Sequence, residues 1–457
     1  MTTPENKKRK RTLWQQIPAM KFITGGYAAI VLLGSILLWM PFASKTPGCT
    51  PFSDCVFTAT SATCVTGLIR YDTFTHWTLF GQLVIISLIQ IGGVGFMTVA
   101  LLVMTLAGKK IGLLQRSLMQ DSISAPEFGD IVDMVKFIAK GTFAIEGVGA
   151  FLLLFSYIPM YGTGKGIYFA IFHSISAFCN GGFDLMGEIS GPCSSMISVE
   201  KNLYINLVLA ALIILGGLGF YVWKDLLVKK FEWKKLQLQS KIVLSVSAAL
   251  VVFGTLALFA TEYSGPMYEG YSVGDKLLSC FFQSVSARTA GFNSADLSKM
   301  TEPGLLIMIC LMLVGGSSGS TAGGMKTTTL WALLASIRTT ILRRNNIEAF
   351  GRRLDEDVSR TASCIFTTYL LVILGATVVI TAIEKLPLLT VLFECTSAFA
   401  TVGITLGITG SLSMTSKWII AFLMLCGRVG SVTMLLAFSP ERKKNNSQYP
   451  LENISLG

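Results

Sequence analysis

The sequence predicts an all-α integral membrane protein of four helix, pore-loop, helix repeats, with eight transmembrane helices set pseudo-fourfold around a central pore. Three observations lead there: composition, a glycine stretch that occurs four times, and the sidedness of the basic residues. Hydrophobic residues make up 52% of the 457 positions and charged residues only 14%, with a mean hydropathy of +0.62. A soluble domain carries about a quarter charged residues, so this chain belongs in a bilayer. A cleavable leader is disfavoured, because no small-residue cleavage site follows the first apolar run and similar runs recur downstream.

The recurring stretch is Ser286-Ala287-Arg288-Thr289-Ala290-Gly291-Phe292. Its relatives are Ser61 to Leu68, Ser176 to Phe183 and Ser397 to Ile404. Aligned on Gly67, Gly182, Gly291 and Gly403, all four place a small residue five positions earlier and an apolar residue one position later. The glycines are 115, 109 and 112 residues apart. So regular a spacing marks an internal repeat, and repeats decide architecture before any single element does.

In order, Met1 to Arg11 is polar and ends in Lys7-Lys8-Arg9-Lys10-Arg11, a headgroup anchor rather than a nucleic-acid site. Phe22 to Phe42 can cross roughly 30 Å of hydrocarbon, which takes about 20 helical residues. Phe52 to Ala62 is too short to cross, and Trp77 to Leu106 is long enough with tilt. The long, short, long triplet recurs as Phe137 to Ile158, Ile167 to Phe178 and Leu203 to Trp223. It recurs again as Ile242 to Thr261, Val273 to Ser286 and Leu305 to Trp331, and as Ala362 to Ile383, Leu388 to Ala398 and Trp418 to Phe438. The expected organisation is a cytoplasmic tail over 1–20, repeats over 21–110, 111–235, 236–340 and 341–439, and a tail over 440–457. Non-helical backbone at membrane depth is tolerated only in protein or beside water, which four insertions around one pore would satisfy.

Charge provides an independent check on this topology. The termini and the three loops joining the repeats hold 25 of the 37 Lys and Arg. The positive-inside rule makes that side cytoplasmic and opens the glycine stretches outward. The net charge of +11 is therefore mostly topological and demands no acidic partner.

A potassium ion entering a bilayer exchanges its hydration shell for ligands such as rings of backbone carbonyls. Glycine permits the torsions that turn carbonyls inward. Each short helix would also aim its C-terminal dipole, about half an electron negative, at the ion. The plainer reading of any one stretch is a turn in a re-entrant hairpin. Four in register favour a carbonyl-lined filter.

The third repeat also breaks its second long segment at Val314 to Met325, where five glycines and four Ser or Thr fall in twelve positions. Glycine costs about 1 kcal/mol against alanine inside a helix, so a loop at membrane depth is expected. A close-packing surface of small residues is the alternative. A phosphate-binding loop is disfavoured, because Met325 precedes Lys326 and no strand leads in.

These stretches, with Gly315 to Thr327 and Gly427-Arg428-Val429-Gly430, resemble the membrane subunits of the Trk/Ktr/HKT superfamily of potassium transporters over essentially the whole chain. Eight spans and a short tail look most like the bacterial Ktr branch. That likeness implies potassium uptake across the cell membrane, with both termini cytoplasmic and no organic cofactor. Gly67, Gly182, Gly291 and Gly403 would be the filter glycines, and with Thr66, Gly181, Ala290 and Val402 they would hold potassium at their backbone carbonyls. The likeness also implies a gate over 314–326, of Gly315, Gly316, Ser317, Ser318, Gly319, Ser320, Thr321, Gly323, Gly324 and Lys326 together with Arg428. Sodium as an activator, a homodimer and a cytosolic nucleotide-binding (RCK-type) ring are its further implications. Some plant relatives that favour sodium have serine where this chain has Gly67.

Arg428 inside an apolar span calls for a functional role, as a positive barrier and a donor to loop carbonyls. Snorkelling, or pairing with Glu146, is the competing reading. Asp72, Asp184 and Asp296 would draw cations or simply be solvated. Arg288 and Asn180 are expected to brace the stretches from behind. Ten scattered cysteines, with Cys49 and Cys55 able to bridge, and two distant histidines assemble no metal or catalytic site, so an enzyme is not expected. An ion-coupled secondary transporter of another solute is the alternative. It conflicts with units of two full spans each, which all share one orientation.

Overall fold

The computed structural model describes residues 19–46, 48, 50–107, 131–189, 191–344 and 346–430. The tail at 440–457, the end of the last span at Phe438 and Cys49 lie outside the described residues, and Cys55 is buried and free. The described residues are mostly helical, with one two-stranded ribbon among them pairing Glu348–Ala349 with Arg352–Arg353.

Four long helices begin the four units: Ala19–Trp39, Ile131–Tyr161, Leu238–Glu262 and Glu356–Glu384. Each is long and apolar enough to cross a membrane. Their outward faces expose Leu33, Phe143, Phe155, Phe253 and Leu371, each at 60% or more of its accessible surface, which only a lipid solvent accommodates. A half-length helix follows in each unit: Phe52–Thr63, Thr163–Phe178, Val273–Ser286 and Leu388–Phe399. These four are buried on nearly all sides towards their C-terminal ends, and each packs against the long helix before it.

The third helix of units one, two and three departs from the sequence expectation. Trp77 to Leu106 and Leu203 to Trp223 are not continuous spans. The first is Leu79–Val94 followed by Phe96–Leu106, bent by 92°, and the second is Leu203–Leu218 followed by Phe220–Val228, bent by 91°. Counting each bent pair as one crossing raises the candidate spans among the described residues from four to six. The third unit's segment is Glu302–Leu313, a loop, then Thr327–Ile341, and the fourth's is Met414–Val429. A break is thus shared by units one, two and three, so it does not set the third one apart. The signal is Gly-Gly-Val-Gly at 92–95 and Gly-Gly-Leu-Gly at 216–219, matched by Gly427-Arg428-Val429-Gly430. The last glycine of each motif has φ of +90° (Gly95), +91° (Gly219) and +98° (Gly430), a region that side chains resist.

The first glycine of each motif explains why the half-length helices can sit where they do. A Cβ on Gly92 would collide with the Thr63 carbonyl, on Gly216 with the Phe178 carbonyl, and on Gly427 with the Phe399 carbonyl. Each of those carbonyls ends the half-length helix of its own unit. Contacts then run from unit to unit. The third helix of units one, two and three touches the half-length helix of the unit that follows, and that of unit four returns to the half-length helix of unit one.

Gly427→Ala should therefore lower the thermal unfolding midpoint of the purified protein by several degrees, since overpacking a tight contact costs about 1–3 kcal/mol. Gly147→Ala, in a helix where a Cβ meets nothing within 4 Å, should leave the midpoint unchanged or slightly raised. Equal midpoints for the two variants would contradict the packing described.

Candidate functional site

The C-termini of the half-length helices lead into four stretches of the same unusual backbone. Val65, Asn180, Thr289 and Thr401 have φ of 56°, 58°, 70° and 52°, and two residues later Gly67, Gly182, Gly291 and Gly403 have φ of 93°, 69°, 84° and 92°. The residues between them, Thr66, Gly181, Ala290 and Val402, do not share the positive φ. A left-handed residue costs roughly 1–2 kcal/mol when it is not glycine, and three of these are β-branched. Strain of this kind persists only where the surroundings over-determine it.

The four glycines meet. A Cβ on Gly67 would lie 2.8 Å from the Gly181 carbonyl oxygen, and one on Gly182 would lie 2.9 Å from Gly291 Cα. One on Gly291 would lie 2.6 Å from the Val402 carbonyl oxygen, and one on Gly403 would strike the Thr66 carbonyl. All eight candidate filter residues are thereby brought into one closed set of backbone contacts.

Four serines, Ser61, Ser176, Ser286 and Ser397, hold these stretches. Thr66, Gly181 and Val402 donate their amides to the carbonyls of Ser61, Ser176 and Ser397 at 2.8, 2.7 and 2.8 Å. Ser61 Oγ and Ser397 Oγ accept from the amides of Gly67 and Gly403 at 3.1 and 3.0 Å. Ser176 Oγ donates to the Phe183 carbonyl at 2.7 Å, and Ser286 Oγ to that of Phe292. Ser286 stands one position nearer its glycine than the other three, so alignment on the glycines hides the common role.

On one side of the ring lies a cavity of about 380 Å³, walled in part by the four glycines, Asp184 and Asp296. Asp72 instead accepts from the amides of Thr75 and Cys193, at 2.7 and 3.2 Å, tying two loops together. Arg288 is buried and turned outward, donating to Ser247 Oγ at 3.1 Å. Asn180 Nδ2 turns the other way and donates to Thr321 Oγ1 at 3.1 Å.

Thr321 belongs to the loop between Glu302–Leu313 and Thr327–Ile341, which lies against the opposite side of the ring. Val314 and Met325 close it by a parallel bridge, the Gly315 amide donating to the Met325 carbonyl at 2.9 Å. Gly323 sits against Thr401, and Gly315 beside Thr289. The Ser317 amide donates to the Gly217 carbonyl at 2.9 Å, and Gly319 accepts from the Phe220 amide at 2.9 Å, so the loop is fastened at the bend in unit two. Gly316 faces Ala322 and Gly217, while Ser318 and Gly324 complete the fold of the loop against Gly219 and Gly315. Ser320 Oγ donates to the Ser317 carbonyl and Lys326 Nζ to that of Ala322, at 2.7 and 2.9 Å.

Arg428 reaches across the molecule beneath the ring. Its guanidinium donates to the Thr321 carbonyl at 2.5 Å and to the carbonyls of Gly92 and Gly93, the latter at 3.2 Å. One side chain of unit four thus joins the bend of unit one to the loop of unit three. Glu146 is not its partner: that carboxylate accepts from Gln90 Nε2 at 3.2 Å and lies 3.6 Å from Cys179 Sγ. No group of three or more potential metal-ligating His, Cys, Asp or Glu side chains occurs among the described residues.

A family model described as a cation transport protein, TrkH, matches residues 28–448. The chain belongs to the TrkH family of cation transport proteins. Among its relatives, the potassium/sodium uptake protein NtpJ of Enterococcus hirae is 39% identical over 454 residues, covering 98% of this chain and 99% of the relative. The Ktr system potassium uptake protein B of Bacillus subtilis is 36% identical over 451 residues, with 98% and 99% covered. The crystal structure of the potassium transporter TrkH from Vibrio parahaemolyticus shares the fold, with a TM-score of 0.66 at 19% identity over 96% of this chain and 87% of that one. These relatives are ion transporters, not enzymes, and the family with its apolar helices makes this chain a multi-pass membrane protein.

Ser397→Ala would leave the buried Gly403 amide without its acceptor, at a cost of about 1–3 kcal/mol. Hydrogen exchange across 400–407 should accelerate by roughly tenfold or more as a result. Ser411→Ala, which removes an exposed hydroxyl bonded to the Ile408 carbonyl, should leave that exchange rate as it is. Unchanged exchange in the Ser397 variant would show that the serine does not hold the stretch.

Proposed function

We propose that the chain carries potassium across the cell membrane through a filter formed by Thr66–Gly67, Gly181–Gly182, Ala290–Gly291 and Val402–Gly403. The observation that carries this reading is the meeting of four left-handed glycines, each two residues after another left-handed residue, beside a cavity that holds two carboxylates. Alternating left-handed and ordinary torsions along such a stretch can turn successive carbonyls to one side, the arrangement that replaces a cation's hydration shell. Four half-length helices end at the ring, and their C-terminal dipoles favour positive charge there. Thr66, Thr289 and Thr401 Oγ1 and Asn180 Oδ1 are buried with no hydrogen-bond partner among the described residues, as groups that face an ion path would be. Relatives named for potassium uptake at 36–39% identity support the same substrate.

In this proposal each unit crosses the membrane twice, giving eight transmembrane helices in pseudo-fourfold order, with repeats over 21–110, 111–235, 236–340 and 341–439. The unit-to-unit contacts support that order. The loop at 314–326 and Arg428 form the gate, since the loop lies against the ring and Arg428 ties it to unit one. The termini are cytoplasmic by the positive-inside argument. A homodimer, a cytosolic nucleotide-binding ring on its cytoplasmic face and stimulation by sodium complete the reading.

The test is cation uptake into proteoliposomes holding this chain alone, comparing potassium, rubidium and sodium. The native chain should admit potassium and rubidium over sodium. Gly67→Ser, whose Cβ would press on the Gly181 carbonyl, should lower potassium-over-sodium preference by about tenfold, the equivalent of ~1.4 kcal/mol. Deletion of 316–324 should raise flux, and Arg428→Gln should raise it less. If neither potassium nor rubidium moves, even in the deletion variant, an ion-coupled transporter of another solute is the better account.

A further inference from the structure

The segments that rise from the four glycines need support of their own, because backbone under torsional strain relaxes unless its surroundings forbid it. Each half-length helix carries one buried polar side chain that provides this support, and the four are chemically unlike. In unit one, Asp54 accepts from Arg70, three residues past Gly67, and from Tyr71 Oη at 3.2 Å. In unit two, His173 donates Nδ1–H to the Phe169 carbonyl at 2.8 Å, which leaves Nε2 to accept the amide of Leu185, three past Gly182, at 3.2 Å. In unit three, Gln283 Nε2 donates to Asn293 Oδ1, two past Gly291, at 2.7 Å. In unit four, Glu394 Oε2 accepts from Thr405 Oγ1, two past Gly403, at 2.7 Å, and its Oε1 accepts from Thr409 Oγ1.

All four are at most 1% exposed. His173, Gln283 and Glu394 stand nine, eight and nine positions before their glycines. Asp54 stands thirteen before, one helical turn further back on the same face. A purely structural core would fill these sites with apolar side chains, since an unpaired buried carboxylate is costly. Each is instead paired with the segment just past a glycine.

We infer that Asp54, His173, Gln283 and Glu394 are positioning residues that fix the segments leaving the filter, with Glu394 the principal one, so that cation preference depends on them as well as on the glycines. This rests on the filter reading above. Glu394 leads because both of its oxygens are engaged, by two hydroxyls that bracket one loop. The four braces differ, so each quarter of the ring is held with its own stiffness and geometry. Sequence symmetry conceals this, because the pairs match in place and not in residue type.

The experiment measures rubidium and sodium uptake into proteoliposomes for the native chain, Glu394→Ala, Glu394→Gln and the double variant Thr405→Val with Thr409→Val, alongside folded yield and unfolding midpoint. Glu394→Ala and the double variant should lose rubidium-over-sodium preference by on the order of tenfold, the scale of one or two buried hydrogen bonds. Glu394→Gln keeps a carbonyl acceptor and an amide that the hydroxyls can meet, and should restore preference to within about threefold of native, well under 1.4 kcal/mol. Should Glu394→Ala fail to fold, the double variant carries the same expectation from the other side of the bond. A lowered midpoint with native preference in both would overturn the inference and leave these residues as ordinary structural pairs. A native chain that does not discriminate would overturn the filter reading itself, and the inference with it.

Discussion

Everything in this protein depends on backbone meeting backbone at Gly67, Gly182, Gly291 and Gly403. No side chain separates the four stretches there, and a single Cβ on any of them would overlap a neighbouring main chain. The torsions that allow this are left-handed at the glycine and again two residues earlier, where Val65, Thr289 and Thr401 take a conformation β-branched residues resist. Such a ring cannot be made by local preference. It is held by serines beneath, by the braces above, and by half-length helices whose own placement is fixed elsewhere.

That placement comes from a second set of glycines. Gly92, Gly216 and Gly427 let the third helix of units one, two and four close onto the terminal carbonyl of the half-length helix, and Gly95 and Gly219 turn the chain away immediately afterwards. The motif therefore does two jobs in four residues. In unit three the same region expands into the loop that packs below the ring. In unit four the second glycine is replaced by Arg428, whose long side chain spans the space that the other units leave to glycine backbone. Its donors satisfy carbonyls exposed by the bend in unit one and by the loop, so one cation neutralises partial charges from two units. The same residue places a fixed positive charge beneath the glycine ring.

The sequence carried the membrane class, the long, short, long rhythm and the four glycine stretches, because hydropathy and exact spacing survive without tertiary information. The half-length helices end where expected, at Thr63, Phe178, Ser286 and Phe399, within a residue. The bends at Gly95 and Gly219 are invisible to hydropathy, since apolar residues run through both. Gly-Gly-x-Gly was legible, but one such motif in an apolar run usually means close packing. The shared role of the serines at 61, 176, 286 and 397 is hidden in the sequence, because the third is out of register by one. Asp54, His173, Gln283 and Glu394 could not be found by pattern at all, for they share a place in space and no chemistry. Arg428 stood out by charge, yet its partners lie 107 and 335 residues away along the chain.

The central claim is that the glycine ring binds the transported ion through its carbonyls. Anomalous scattering from crystals grown with rubidium or thallium in place of potassium tests it most directly. The account predicts density enclosed by the backbones of Thr66–Gly67, Gly181–Gly182, Ala290–Gly291 and Val402–Gly403, weakened when sodium replaces the heavier ion. Density only in the carboxylate-lined cavity, or beside Glu146 and away from the ring, would contradict it.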